Sequence, residues 1–122
     1  MTTKRRPPRP TQVKVGHLTF TIEYLTDEEW EARGLPDGDG GQTNGSRATI
    51  LLRTPEYMHH VHLREVLTHE LLHACFYSSM MTLEDNLRIQ PDIEEHIVGR
   101  VSPILMDLLT HNPRVTAFLL EP

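Results

Sequence analysis

The sequence has little cysteine and no long apolar run. A single cysteine, Cys75, cannot form an internal disulfide, and the chain lacks a cysteine cluster of the kind that holds a structural zinc ion. We therefore expect a protein of the reducing cytoplasm. No stretch approaches the roughly 18 apolar residues of a membrane span, and no apolar signal-peptide run follows the basic amino terminus. The sequence predicts neither export nor a membrane partner.

Positive charge is scarce beyond the amino terminus. The first ten residues contain four basic residues and no acidic one, which leaves eight basic against seventeen acidic residues, a net charge of −9, for the rest. An acidic body repels a phosphate backbone, so we expect no nucleic-acid partner. Residues 1–11 are predicted to be a disordered, basic, proline-rich tail. Residues 12–122 are predicted to form one domain, because 38% apolar residues supply one modest core.

Strand and helix patterns along the chain predict an α+β fold. Residues 12–24 alternate between polar and apolar, as in one strand or a bent pair hinged at Gly16, and Thr26 with Glu29 has the spacing of a capping box. The glycine-rich residues 37–46 are predicted to be a flexible connection with a turn at Asn44-Gly45. The remaining predicted elements are a buried strand over 47–53, a central helix over 60–77, a second long helix over 92–110 that Pro103 kinks or splits, and a short helix over 114–120.

The pattern that carries chemistry is His69-Glu70-Leu71-Leu72-His73, an H-E-x-x-H motif on the central helix. Residues four apart share a helix face, so both imidazoles can reach one tetrahedral cation beside Glu70. Zinc lowers the pKa of its bound water to about 7, and Glu70 as the base can take the proton when that water attacks a peptide carbonyl. The motif predicts one Zn²⁺ ion and a metallopeptidase. Two histidines without a metal stay open as the alternative, since eight histidines make a chance motif possible.

A third zinc ligand must come from elsewhere, because catalytic sites usually have three protein ligands. The metzincin pattern requires glycine and histidine where Phe76 and Ser79 stand, so that class is excluded. At about 100° per residue, Glu94 lies near the centre of the apolar stripe of the second helix, where an acid is costly unless it is paired or bound to a metal. We predict Glu94 as the third ligand, with Glu95 as the alternative. The stripe consists of Ile97, Val98, Val101, Ile104, Leu105 and Leu108.

Three segments together resemble a known family. Residues 48–53, HELLHACF at 69–76 and IEEHIVGRVSPILMDLLTHNP at 93–113 are similar to small zinc metallopeptidase-like proteins of bacteriophages and prophages, of the ImmA/IrrE type. The resemblance implies a gluzincin-like set of two histidines and one glutamate around zinc. It also implies a reduced zincin-like core, with a small antiparallel or mixed sheet packed on the H-E-x-x-H helix and on a second long helix. For a phage-encoded protein the compartment would be the host cytoplasm.

The leading functional hypothesis is peptide-bond hydrolysis, with site-specific cleavage of a partner protein. The strand at 48–52 is expected to edge the cleft and to pair with an extended substrate. One alternative is a non-catalytic phage protein whose metal site is structural and which acts in assembly or regulation, and another is an adaptor that uses the basic tail. Substrate, cleavage site and oligomeric state stay open. Five residues stay open as donors to an oxyanion: Tyr57, Tyr77, His96, Arg100 and His111.

Overall fold

The computed structural model describes residues 8–80 and 91–120, so most of the predicted tail lies outside the described residues. The predicted α+β class is confirmed. Within the described ranges, no helix is both long enough and apolar enough to cross a membrane. The elements in chain order are β1 (Gln12–Val15), β2 (Leu18–Leu25), α1 (Asp27–Ala32), β3 (Gly41–Asn44), β4 (Thr49–Arg53), α2 (His60–Met80), α3 (Pro91–His111) and α4 (Pro113–Leu119).

The four strands form one mixed sheet in the order β1-β2-β4-β3. β1 and β2 are antiparallel, which confirms the predicted pair with its bend at Gly16. Gly16 has a φ of +63°, a backbone conformation that side chains other than glycine adopt at a cost. β2 and β4 run parallel, with Ile22 opposite Ile50, while β4 and β3 are antiparallel.

The segment predicted as a flexible connection contains a strand, β3, so that prediction is wrong in part. The many glycines in this segment hide a short hairpin of β3 and β4, whose turn is the predicted one at Asn44-Gly45. There, Asn44 Oδ1 accepts hydrogen bonds from Ser46 Oγ at 2.8 Å and from the Arg47 backbone N–H at 3.1 Å. Because β3 pairs with β4, residues 48–52 lie inside the sheet. The prediction that this strand forms the substrate-binding edge is therefore wrong; β3 lies at this edge of the sheet, and β1 lies at the opposite edge.

Helix α2 packs against one face of the sheet and completes the core there. Phe20 and Ile22 of β2 lie beside Ile50 and Leu52 of β4, as alternate residues that share a face, and all are at most 3% exposed. Leu63 and Ala74 of α2 join this cluster. This packing places the H-E-x-x-H segment against the sheet, since Leu63 before it and Ala74 after it are buried in the core.

Helix α1 begins with the capping box that the sequence predicts. Thr26 Oγ1 accepts a hydrogen bond from the Glu29 backbone N–H at 3.1 Å, and Glu29 Oε1 accepts one from the Thr26 N–H at 3.2 Å. Trp30 is fully buried, and its indole N–H donates to the Pro36 carbonyl oxygen at 2.9 Å. The short helix is anchored by this aromatic side chain and by an ion pair between Asp27 and Arg53 of β4, at 2.6 Å.

Helix α3 crosses α2 and continues past Pro103 without being split. The apolar stripe predicted to face the core is mostly not buried. Val98 is fully buried and Ser102 nearly so, whereas Val101, Ile104 and Leu108 are exposed. The physical reason is that α2 covers this side of the sheet and α3 packs mainly on α2, so α3 buries mainly the line of residues that faces that helix.

Candidate functional site

The two histidines of the motif and a glutamate of α3 converge on one point. The His69 and His73 rings lie one helical turn apart on α2, with centroids 5.0 Å apart. His69 Nε2 is 3.0 Å from Glu95 Oε1, and His73 Nε2 is 2.6 Å from Glu95 Oε2. One ligand atom from each of these three residues lies within 4.8 Å of the others, and no other such group of His, Cys, Asp and Glu occurs in the described parts of the chain. Two imidazole nitrogens and a carboxylate oxygen are a donor set suited to zinc.

Glu94 lies beside the same histidine but on its other nitrogen. His73 Nδ1 is 2.6 Å from Glu94 Oε2. The Glu94 side chain is 22% exposed and that of Glu95 60%, so Glu94 is the more inward of the two, as its place near the stripe centre suggests. A carboxylate in this position sets the tautomer and the orientation of a metal-binding histidine. The geometry thus favours Glu95, the alternative, as the third donor, and assigns Glu94 a supporting contact.

Glu70 is held by β3, the strand that the sequence does not reveal. The Thr43 hydroxyl donates a hydrogen bond to Glu70 Oε1 at 2.7 Å. Two residues earlier, Gly41 faces the same side chain, and a Cβ on Gly41 would lie 2.9 Å from Glu70 Cγ. Alternate strand residues share a face, so both contacts follow from the register of β3. The Thr43 hydroxyl holds the Glu70 carboxylate by a hydrogen bond, and Gly41, which has no side chain, leaves the space that the Glu70 side chain occupies.

The environment of Glu70 makes it a stronger base than an exposed glutamate. The residue is only 5% exposed, and this burial is the main cause that raises the pKa of its carboxyl. The hydrogen bond from Thr43 and the nearby His73 and His69 lower the pKa, and Glu95 raises it, with a net upward shift. A carboxylate of higher pKa takes up a proton more readily, which is what a general base requires.

These groups line a cavity of about 650 Å³ between β3, α2 and α3. Its volume lies within the range of ligand-binding clefts. Tyr77 is the one of the five predicted oxyanion donors that lines it. Gly45 contacts the Tyr77 ring so closely that a side chain at position 45 would collide with it. The glycine-rich segment, from Gly38 to Gly45, forms one wall.

One sequence pattern indicates that this wall contains a strand, although the glycine-rich composition suggests a loop. Gly41, Thr43 and Gly45 occupy alternate positions, the period of a strand, and each contacts α2 with a small side chain or none. Such a pattern is typical of a strand that approaches a helix closely.

Comparison with known proteins finds no relative of this chain. The evidence for the site is therefore the distances given above. The resemblance to the ImmA/IrrE type stays a prediction that rests on the quoted residues. No protein-family model, no curated protein and no solved structure matches this chain.

Proposed function

We propose that the protein is a zinc-dependent peptidase of the gluzincin type on a zincin-like core. The observation that carries the proposal is the convergence of His69 and His73 Nε2 on the Glu95 carboxylate, next to a buried Glu70 in an open cavity. Two histidines and one glutamate are the ligand set of many hydrolytic zinc sites, which leave a further coordination position open. Glu94 supports this set by orienting His73.

Different residues of the site have different roles in the proposed hydrolysis. Zinc held by His69, His73 and Glu95 would polarise the peptide carbonyl and lower the pKa of a water molecule to about 7. Glu70 takes a proton from the attacking water and passes it to the leaving amide nitrogen, so that the C–N bond breaks and a free amine departs. Tyr77 is the donor on the cavity wall that can stabilise the negative oxygen of the tetrahedral intermediate.

The substrate that fits this cavity is an extended peptide along β3. β3 is an edge strand, and its other side is paired with β4. A peptide added to the free edge forms main-chain hydrogen bonds with residues 41–44 and passes the Glu70 carboxylate that the same strand positions. Cleavage of one partner protein at one site suits such a narrow, single-strand platform better than general digestion.

The direct test is hydrolysis of a peptide library by the full chain with zinc, after chelation, and after zinc is added back. We expect turnover that is lost on chelation and restored by zinc. Turnover that persists in the fully chelated protein contradicts the proposal. Chelation that unfolds a chain without any turnover would instead support a structural metal site, the alternative function.

Gly41→Ala is expected to slow hydrolysis on the order of 10²-fold, because the added methyl group displaces the Glu70 side chain from its bond with Thr43. Gly41 has no positive φ, so the backbone accepts alanine. Gly38→Ala is the matched control, since Gly38 lines the same cavity and a Cβ there meets no atom within 4 Å. Steady-state kinetics with zinc analysis measure the effect. Equal rates for both variants would show that β3 does not position Glu70.

A further inference from the structure

The carboxyl-terminal helices expose most of the large apolar side chains of the described residues. Of eleven such side chains that are exposed, nine belong to residues 93–120. On α3, spacings of four, three and four residues separate Ile97, Val101, Ile104 and Leu108, and the last three are exposed. That spacing is typical of the seam between two packed helices. Large exposed apolar surfaces on a monomer typically mark a site of interaction with a partner.

This seam, defined as Ile97, Val101, Ile104 and Leu108, lies on the face of α3 turned away from Glu95. At about 100° per residue, the centre of the seam is roughly 150° around the helix from Glu95 and roughly 50° from Glu94. The residues of α3 that line the cavity beyond the glutamates are Gly99, Ser102 and Pro103, which belong to other faces of the helix. A helix that packs on the seam therefore leaves the Glu95 side of the cavity open, with Glu94 at the border between the two faces.

We propose that the seam is the interface of a homodimer in which α3 of two copies packs antiparallel. A two-fold axis between residues 102 and 103 places Val101 of one copy against Ile104 of the other. The same axis places Ile97 against Leu108, so every seam position meets another. Helix α4 also exposes Val115 and Phe118.

Charge complementarity selects a second copy of this chain as the occupant. Arg100 and Asp107 are exposed, carry opposite charges and flank the seam on the same side. In the antiparallel pair, Arg100 of each copy lies beside Asp107 of the other, about two residues out of register, so two symmetric ion pairs form. A parallel pair would separate them by roughly 10 Å along the helix axis. Asp107 already pairs with His111 at 3.0 Å, but its side chain is 72% exposed and accessible to a second cation.

Sedimentation of the full chain over a range of concentrations tests the interface. We expect wild-type dimers, and monomers for Val101→Glu. Val61→Glu is the matched control, because Val61 is also a helical valine and is 43% exposed against 44% for Val101, but it lies on α2. This control is expected to stay dimeric, and circular dichroism checks that both variants fold. A wild-type chain that stays monomeric at every concentration overturns the proposal.

Charge reversal distinguishes the antiparallel pair from other packings. Arg100→Asp and Asp107→Arg are each expected to raise the dissociation constant of the dimer roughly tenfold, and the double variant should return it to near the wild-type value. Failure of the double variant to recover dimerisation overturns the antiparallel arrangement. A chain that is monomeric and binds a different protein through the seam also overturns this arrangement. Neither result depends on peptidase activity. The dimer can therefore be disproved while the proposed function holds, and the reverse.

Discussion

Glu70→Gln is expected to lower the rate of peptide hydrolysis by a factor on the order of 10²–10⁴ while the chain keeps its zinc. Glutamine has nearly the same shape as glutamate, and its amide oxygen can still accept the hydrogen bond from Thr43. It cannot take up the proton of the attacking water. The loss should therefore appear in kcat rather than in KM, because substrate and metal contacts are unchanged.

Glu65→Gln is the matched control for this experiment. Glu65 lies on the same helix and lines the same cavity, but its side chain is half exposed and it belongs to neither the motif nor the proposed ligand set. The same chemical change there should leave the rate near that of the wild type. If Glu70→Gln binds zinc and hydrolyses the library as fast as the wild type, Glu70 is not the base and the proposed mechanism is wrong.

Glu95→Gln is expected to weaken zinc binding more than Glu94→Gln does. Glu95 contributes an oxygen to the point shared with both histidines, whereas Glu94 contacts only the outer nitrogen of His73. Loss of a supporting carboxylate typically costs about 10–100-fold in metal affinity, and loss of a direct ligand costs more. Competition with a chromogenic chelator measures both constants, with His73→Ala as the reference for a lost ligand.

The opposite order of affinities would restore Glu94 as the third ligand. In that case a rotation of α3 on metal binding would have to exchange the two carboxylates, because they are adjacent and differ by about 100° around the helix. Equal and small effects of both substitutions would contradict a site built from two histidines and one glutamate.

Part of the fold could be predicted because it depends on local rules. The capping box of Thr26 and Glu29 and the turn at Asn44 are set by hydrogen bonds between near neighbours in the sequence. The alternation in β2 follows from the two-residue repeat of a strand. The strand β3 could not be predicted in the same way. Gly41 and Asn44, at its two ends, belong to residue types that are rare in strands, and β3 is ordered by its pairing with β4 and by the contact of Thr43 with Glu70 of α2.

The candidate site likewise has one part that follows from local rules and one part that depends on tertiary contacts. Sequence by itself determined that His69, Glu70 and His73 share a helix and that both imidazoles can point to one cation, because the helical repeat enforces it. Only the tertiary structure decided that Glu95 rather than Glu94 shares that point, and that Thr43 and Gly41 hold Glu70. The physical reason is that a helical repeat sets angles within one element. The distance between residues on different elements depends on how α2, α3 and β3 pack, and a change of one residue in register exchanges adjacent carboxylates.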